Sequence, residues 1–279
     1  MKTNFHTHTT FCDGKDSVGE NASLAYEKGF SALGFSAHAL YPFSSDWHIA
    51  VEEYGAYRDE IARVKSIFAG KMKILAGFEV DYIPGISVPS IKRYEAFAPD
   101  FIIGSVHYVP AGNECLTVDD SPSELLRLAN DFFGGSARKM TERYFELERE
   151  MLRKGDFSII GHPDLVLKFN DTLSIIDESE KWFLNEIEKT ADEIARAGVV
   201  AEINTGAISR GYRKTPYPGA EFLSLLRARN VPITINSDAH SKEALDCAFD
   251  VAAQCAKAAG YTETVVDFPT PASFAFAPL

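Results

Sequence analysis

Seven short runs rich in β-branched and aromatic residues recur along the chain, at residues 2–8, 31–37, 73–80, 100–107, 157–161, 199–204 and 231–236. Between them apolar residues return every three or four positions, the period of a helix with one buried face. From Glu52 to Phe68 these are Tyr54, Tyr57, Ile61, Val64 and Phe68; from Ser179 to Ala197 they are Trp182, Phe183, Ile187, Ala191 and Ile194. A longer helical stretch, Glu124 to Leu152, is predicted to break at Gly134–Gly135. Gly29, Gly70, Gly155, Gly198 and Gly260 follow helical stretches, where a C-cap favours glycine. The alternation gives about seven βα units, which calls for a parallel sheet with helices outside it. With 279 residues and no repeat, linker or low-complexity run, residues 1–279 are expected to form one domain, an α/β barrel of the distorted (β/α)7, TIM-like kind.

Polar residues able to bind metals fall where these strands end. His6 and His8 close the first, and residues two apart on a strand share a face, so both imidazoles can reach one metal. Asp13 follows in the loop. His38 ends the second strand, Glu79 the third, His107 the fourth and His162 the fifth; Glu202 and Asn204 end the sixth, and Asp238 and His240 the seventh. Ligands converge at the C-terminal ends of the strands in parallel barrels. Of the seven histidines only His48 lies elsewhere, so the placement is unlike chance. One strand-end histidine alone is more often a satisfied structural group, and Glu79 or Asp238 alone can cap the next helix. Together, His6, His8, Asp13, His38, Glu79, His107, His162, Asp238 and His240 at one mouth would leave buried charges unpaired unless cations neutralised them. Imidazole and carboxylate without thiolate suit Zn, Mn or Fe, and a carboxylate such as Glu79 can bridge two metals.

Composition narrows the partners. The formal net charge is −12, which argues against a nucleic-acid duplex, whose phosphates need Lys and Arg. Cys12, Cys115, Cys247 and Cys255 lack zinc-site spacing and read as reduced thiols. The N-terminus has no apolar signal core, and no apolar run approaches the roughly 20 residues that span a bilayer. The expectation is a cytoplasmic protein with a small-molecule substrate and no membrane partner.

The run His6-Thr7-His8-Thr9-Thr10-Phe11-Cys12-Asp13-Gly14 resembles the first motif of the PHP (polymerase and histidinol phosphatase) family. His38, Gly77-Phe78-Glu79, Ser105-Val106-His107, Gly161-His162-Pro163-Asp164 and Ser237-Asp238-Ala239-His240 match its later motifs in order, from residue 3 to about residue 260. The resemblance implies three divalent metals: one on His6, His8, Glu79 and Asp238, a second on Glu79, His107 and His162, a third on Asp13, His38 and His240. Asp13 stands where some relatives have histidine. The stretch Glu202-Ile203-Asn204-Thr205-Gly206, followed by Arg210, Arg213 and Tyr217-Pro218, is similar to the bacterial histidinol-phosphatase branch, in which an arginine after the sixth strand meets the substrate phosphate. A guanidinium fork matches phosphate oxygens, and Arg210 is favoured over Arg213.

The implied reaction is hydrolysis of a phosphate monoester, L-histidinol phosphate, by metal-bound hydroxide attacking phosphorus in line. Arg210, Asp238 and His240 are the catalytic candidates, with Asp164 a further proton donor to the leaving alkoxide. Trp47 and His48 lie in a loop that can close over an imidazole ring, although an ordinary aromatic loop is the plainer expectation. Three rivals stand beside this reading: a phosphoesterase for nucleotides or other small phosphates, an amidohydrolase-type barrel, and a non-catalytic metal-binding module. The second is disfavoured because no lysine lies near His107, and the third because all nine ligand positions are filled.

Overall fold

The computed structural model describes residues 1–279. Its first strands are β1 (Thr3–Asn4), β2 (Ala32–Ala39), β3 (Lys73–Asp81) and β4 (Phe101–Ser105), followed by a hairpin of β5 (Tyr108–Ala111) and β6 (Glu114–Thr117). After them come β7 (Ile159–Ile160), β8 (Val200–Asn204), β9 (Ile233–Asn236) and a terminal hairpin, β10 (Glu263–Thr270) with β11 (Ser273–Pro278). Seven strands, ordered β1-β2-β3-β4-β7-β8-β9, make one sheet in which every neighbouring pair is parallel. Its two edges meet where His8 N–H donates to Ala239 O at 2.9 Å and Ala239 N–H donates to His6 O at 3.1 Å. The result is a nearly closed, TIM-like barrel.

The helices are α1 (Val18–Glu27), α2 (Tyr54–Ile67), α3 (Pro122–Arg127), α4 (Ala137–Lys154), α5 (Asn170–Leu173), α6 (Lys181–Ala197), α7 (Gly206–Ser209), α8 (Ala220–Ala228) and α9 (Phe249–Ala258). Those with a periodic apolar face turn it to the sheet; Tyr54, Tyr57, Ile61 and Val64 of α2 are all buried. Outward-facing strand residues such as Leu33, Phe35, Phe78 and Val80 join them in the main hydrophobic core.

Inside the barrel a second, smaller core fills the N-terminal end: Phe5, Ala32, Leu75, Phe101, Ile103, Ile159 and Val200 from the strands, closed by Val265 and Phe268 of β10. The Phe268 ring meets Phe5 edge-on at 5.0 Å and lies against Phe101 at 5.8 Å. Above this floor the same inward positions turn polar. On β3 the inward series runs Leu75, Gly77, Glu79, Asp81, from apolar floor to charged mouth. Gly77 is small because Phe101 occupies the space beside it: a Cβ there would lie 2.5 Å from that ring.

Two expectations need adjusting. The first strand is shorter than 2–8, because Asn4 Oδ1 accepts from His6 N–H at 3.1 Å and breaks the ladder. This slips the alternation by one, so Phe5 packs in the floor while His6 and His8 still share the polar mouth. Gly29, Gly70, Gly198 and Gly260 have positive φ as C-cap glycines do, but Gly155 is extended, and a Cβ there would strike the Phe157 ring at 2.7 Å. The break near Gly134–Gly135 is present, with a wide turn at Leu128–Phe132 separating α3 from α4. No helix is long and apolar enough to cross a membrane.

Candidate metal centre and substrate cleft

All nine strand-end residues meet at the C-terminal mouth. Parallel register sets His38 of β2 beside Glu79 of β3, and His38 Nδ1 lies 3.0 Å from Glu79 Oε2. Glu79, fully buried, is the hub: His6 Nε2 is 2.9 Å from Oε2, while His162 Nε2 is 2.9 Å and His107 Nε2 3.5 Å from Oε1. His8 Nε2 lies 3.1 Å from Asp238 Oδ1. At the outer edge His240 Nε2 is 3.1 Å and His38 Nε2 3.8 Å from Asp13 oxygens. Four groups are close enough to hold an ion each: His8, Asp13, His38 and His240; His6, His8 and Asp238; His6, Glu79 and His162; and His38, Glu79 and His107. The nine residues are those expected. The groupings share His6, His8 and His38 more widely than the expected division, because their rings stand between neighbouring carboxylates.

The donor set fits divalent cations. His6 Nε2, His8 Nε2, His38 Nδ1 and Glu79 Oε2 are buried without a hydrogen-bond partner, although the three ring nitrogens lie 2.9, 3.5 and 3.0 Å from that oxygen. Lone pairs gathered so closely need a shared positive centre. Burial and the neighbouring rings of His240 and His38 push His8 down to about 3, leaving a neutral imidazole able to ligate. Burial would raise Glu79 and Asp238, but the surrounding imidazoles, and Arg210 beside Asp238, hold both carboxylates well below their usual range.

Two carboxylates behind the cluster orient it. Glu202 Oε1 accepts from His6 Nδ1 at 2.7 Å, and Asn204 and Asn236 donate to Glu202 at 2.9 Å each. Asp81 Oδ1 accepts from His107 Nδ1 at 2.6 Å, and its Oδ2 accepts from His48 Nε2 at 2.7 Å. In both cases the other ring nitrogen is turned to the cluster, the arrangement that fixes a ligating tautomer. Asp81 escaped the sequence reading, yet the signal was present: it lies two residues after Glu79 and therefore on the same face.

A cleft of about 690 Å³ opens from the cluster, lined at the metal end by Asp13, His38, His107, His162, Asp238, His240 and Arg210. Arg210 donates to Asp238 Oδ2 at 2.8 Å and Asp238 O at 3.2 Å, while its buried Nε has no partner. The chain passes close here only because residue 206 is glycine: a Cβ would lie 2.6 Å from the Arg210 guanidinium. Arg213, the other arginine expected at the phosphate, is turned away. It donates to Leu167 O and Glu178 at 3.4 Å, lies 3.7 Å from Asp171 and does not line the cleft. Asp164 is likewise outside it, accepting from Gly219 N–H at 2.8 Å. Lys168, unforeseen, does line it, with Nζ held 2.6 Å from Asp119 O and 3.2 Å from Asp119 Oδ2.

The sequence profile of the PHP domain matches residues 4–206. The chain belongs to the PHP family. Among curated relatives, a Deinococcus radiodurans protein named probable histidinol-phosphatase is 30% identical over 241 residues, covering 84% of this chain and 85% of that one. The histidinol-phosphatase of Bacillus subtilis is 25% identical over 256 residues, covering 86% and 94%. Among solved structures, the histidinol phosphate phosphatase of Lactococcus lactis, crystallised with zinc, L-histidinol and phosphate, superposes with a TM-score of 0.74 at 19% identity over 98% of both chains. That likeness places this PHP chain in the same TIM-like fold.

Proposed function

We propose that this PHP protein is a metal-dependent phosphoric monoester hydrolase that converts L-histidinol phosphate to L-histidinol and phosphate, a step of histidine biosynthesis. The observation that carries the reading is the pairing of nine converging ligands with a cleft-lining arginine in a chain 30% identical to a relative of that name. His6, His8, Glu79 and Asp238 would hold one divalent cation, Glu79, His107 and His162 a second, and Asp13, His38 and His240 a third; Zn, Mn and Fe all suit these donors. When bound, such cations supply Lewis acidity toward a phosphoryl oxygen and toward water.

The remaining work falls to the chain. Arg210 lines the cleft next to the cluster, where its guanidinium offsets charge on the equatorial phosphoryl oxygens. Asp238 holds that guanidinium at 2.8 Å, which fixes the phosphate relative to the cluster. Its backbone sits at φ 51°, a left-handed conformation in which aspartate is tolerated and which turns the carboxylate back over the barrel mouth. His240, its ring about one-quarter exposed, is the imidazole facing the leaving oxygen and solvent.

Electrostatics favour a cationic alcohol over a nucleotide. Away from the metals the cleft carries Asp119, Asp120 and Glu124 against one lysine, Lys168. Burial would raise Asp119, but Lys168 foremost holds its carboxylate below the usual range, so it stays charged. An ammonium or imidazolium group is attracted there and a second phosphate repelled. Steady-state kinetics decide the substrate: kcat/KM should be highest for L-histidinol phosphate, and a higher value for a nucleoside monophosphate would reject the assignment.

A further inference from the structure

His48 is the one histidine outside the ligand cluster, and the segment between β2 and α2 that carries it also carries Trp47. His48 is buried and doubly engaged. Its Nε2–H donates to Asp81 Oδ2 at 2.7 Å, and Ser45 Oγ–H donates to Nδ1 at 2.6 Å, which together settle the tautomer. Because the other Asp81 oxygen accepts from His107, the segment is latched directly to a side chain of the metal centre.

The latch sets an aromatic surface. The Trp47 ring stacks on His48 with centroids 4.0 Å apart and lies within 22° of parallel to Tyr108 at 5.6 Å. His48 and Tyr108 are within 14° of parallel at 6.4 Å, so the three rings pack as one near-parallel stacked cluster. Trp47 and Tyr108 both line the cleft and both are only half-buried. The rings of His38 and His107 meet the indole edge-on, each at 86°, which places this face perpendicular to the ligating imidazoles and next to them. A flat apolar surface held rigidly inside a polar cleft is covered best by a flat ring, and its negative π-face favours a positive one.

We propose that Trp47 and Tyr108 are the seat for a planar heteroaromatic ring in the alcohol portion of the substrate, and that His48 is a positioning residue that fixes this seat to the metal centre through Asp81. The inference rests on the phosphatase reading for the end of the cleft that takes the phosphate; the ring seat follows from the aromatic geometry.

The test compares L-histidinol phosphate with ring-free phosphoethanolamine. Trp47→Ala should lower kcat/KM for the ring ester about five- to tenfold, mainly through KM, as expected for loss of one stacking partner, and leave the ring-free ester within about twofold. Trp47→Phe should recover most of the loss. His48→Gln should give the same ring-selective rise in KM with bound metal unchanged. Equal losses on both esters, or none on either, would overturn the seat; a uniform fall in kcat with loss of metal from His48→Gln would overturn the positioning role. A binding measurement stands apart from turnover. The chain has two tryptophans, and Trp182, on α6 over Arg138, lies outside the cleft. In Trp182→Phe, L-histidinol should quench Trp47 emission and ethanolamine should not; no quenching would overturn the seat. If the wild-type protein failed to turn over L-histidinol phosphate, the substrate assignment would fall while this fluorescence result still judged the ring seat.

Discussion

Arg210 and Arg213 are three positions apart and chemically identical, yet their surroundings assign them opposite roles. Arg210 lines the cleft beside Asp238, whereas Arg213, whose Nε is likewise unpartnered, is buried outside the cleft with its terminal nitrogens donating to Leu167 O and Glu178. Arg210→Ala should therefore cost about 10²- to 10³-fold in kcat/KM, the range for removing one aimed donor to transition-state charge. Arg213→Ala should leave kcat/KM within a few-fold and instead lower Tm; kinetics and thermal melts of the two variants check both. Glu148 behaves differently again. It is buried on α4 with one oxygen accepting from Tyr144 Oη at 2.7 Å and the other unpartnered, and burial pushes its pKa well above the usual value. A carboxyl group raised in the folded state contributes stability below its unfolded pKa of about 4.3 and loses it as pH rises toward the folded value. Glu148→Gln should accordingly raise Tm more at pH 7.5 than at pH 4.5, each relative to wild type at the same pH.

Among the elements, the strands were legible because most carry β-branched residues, β2 being a run of small residues around Phe35 instead, and each ends in a chemically conspicuous residue. β1 was legible from the histidines that follow it but not in its length: the Asn4–His6 contact that ends it depends on a short side chain reaching nearby backbone, which periodicity does not reveal. The β10–β11 hairpin was missed although Val266 and Phe268, and Phe274 and Phe276, alternate there, because Pro269 and Pro271 read as punctuation rather than strand. Its role emerges only in three dimensions, where Val265 and Phe268 plug the barrel floor and Ser158 Oγ–H ties to Pro271 O at 2.7 Å. Phe268→Ala should cost about 3–5 kcal/mol in denaturant unfolding, as for other buried phenylalanines. With the metal centre at the opposite end, metal content of the folded protein should be unchanged; loss of metal without loss of stability would show the hairpin serving the site instead.

For the molecule as a whole, one barrel separates its two tasks by height: an apolar floor that stabilises and a charged mouth that collects ligands. That division explains why the metal site could be read from sequence and the cleft could not. Ligands sit at fixed points at or just beyond strand ends, but Lys168, Asp119 and the Trp47–Tyr108 pair come from loops and the β5–β6 hairpin, whose meeting depends on the closed structure. Asp81 was hidden for a related reason, since it acts on ligands rather than beside the substrate, and His48, read only as part of a loop near the ring, bonds to it. The central claim is that the nine mouth residues gather cations that serve phosphate-ester hydrolysis. Its most direct test is to strip the protein with a chelator, then titrate Zn or Mn back while measuring bound metal per chain and phosphate released from L-histidinol phosphate. The account predicts no activity in the stripped protein and turnover rising in step with metal until three sites fill. Full turnover by metal-free protein, or filled sites with no phosphate released from any ester, would contradict it.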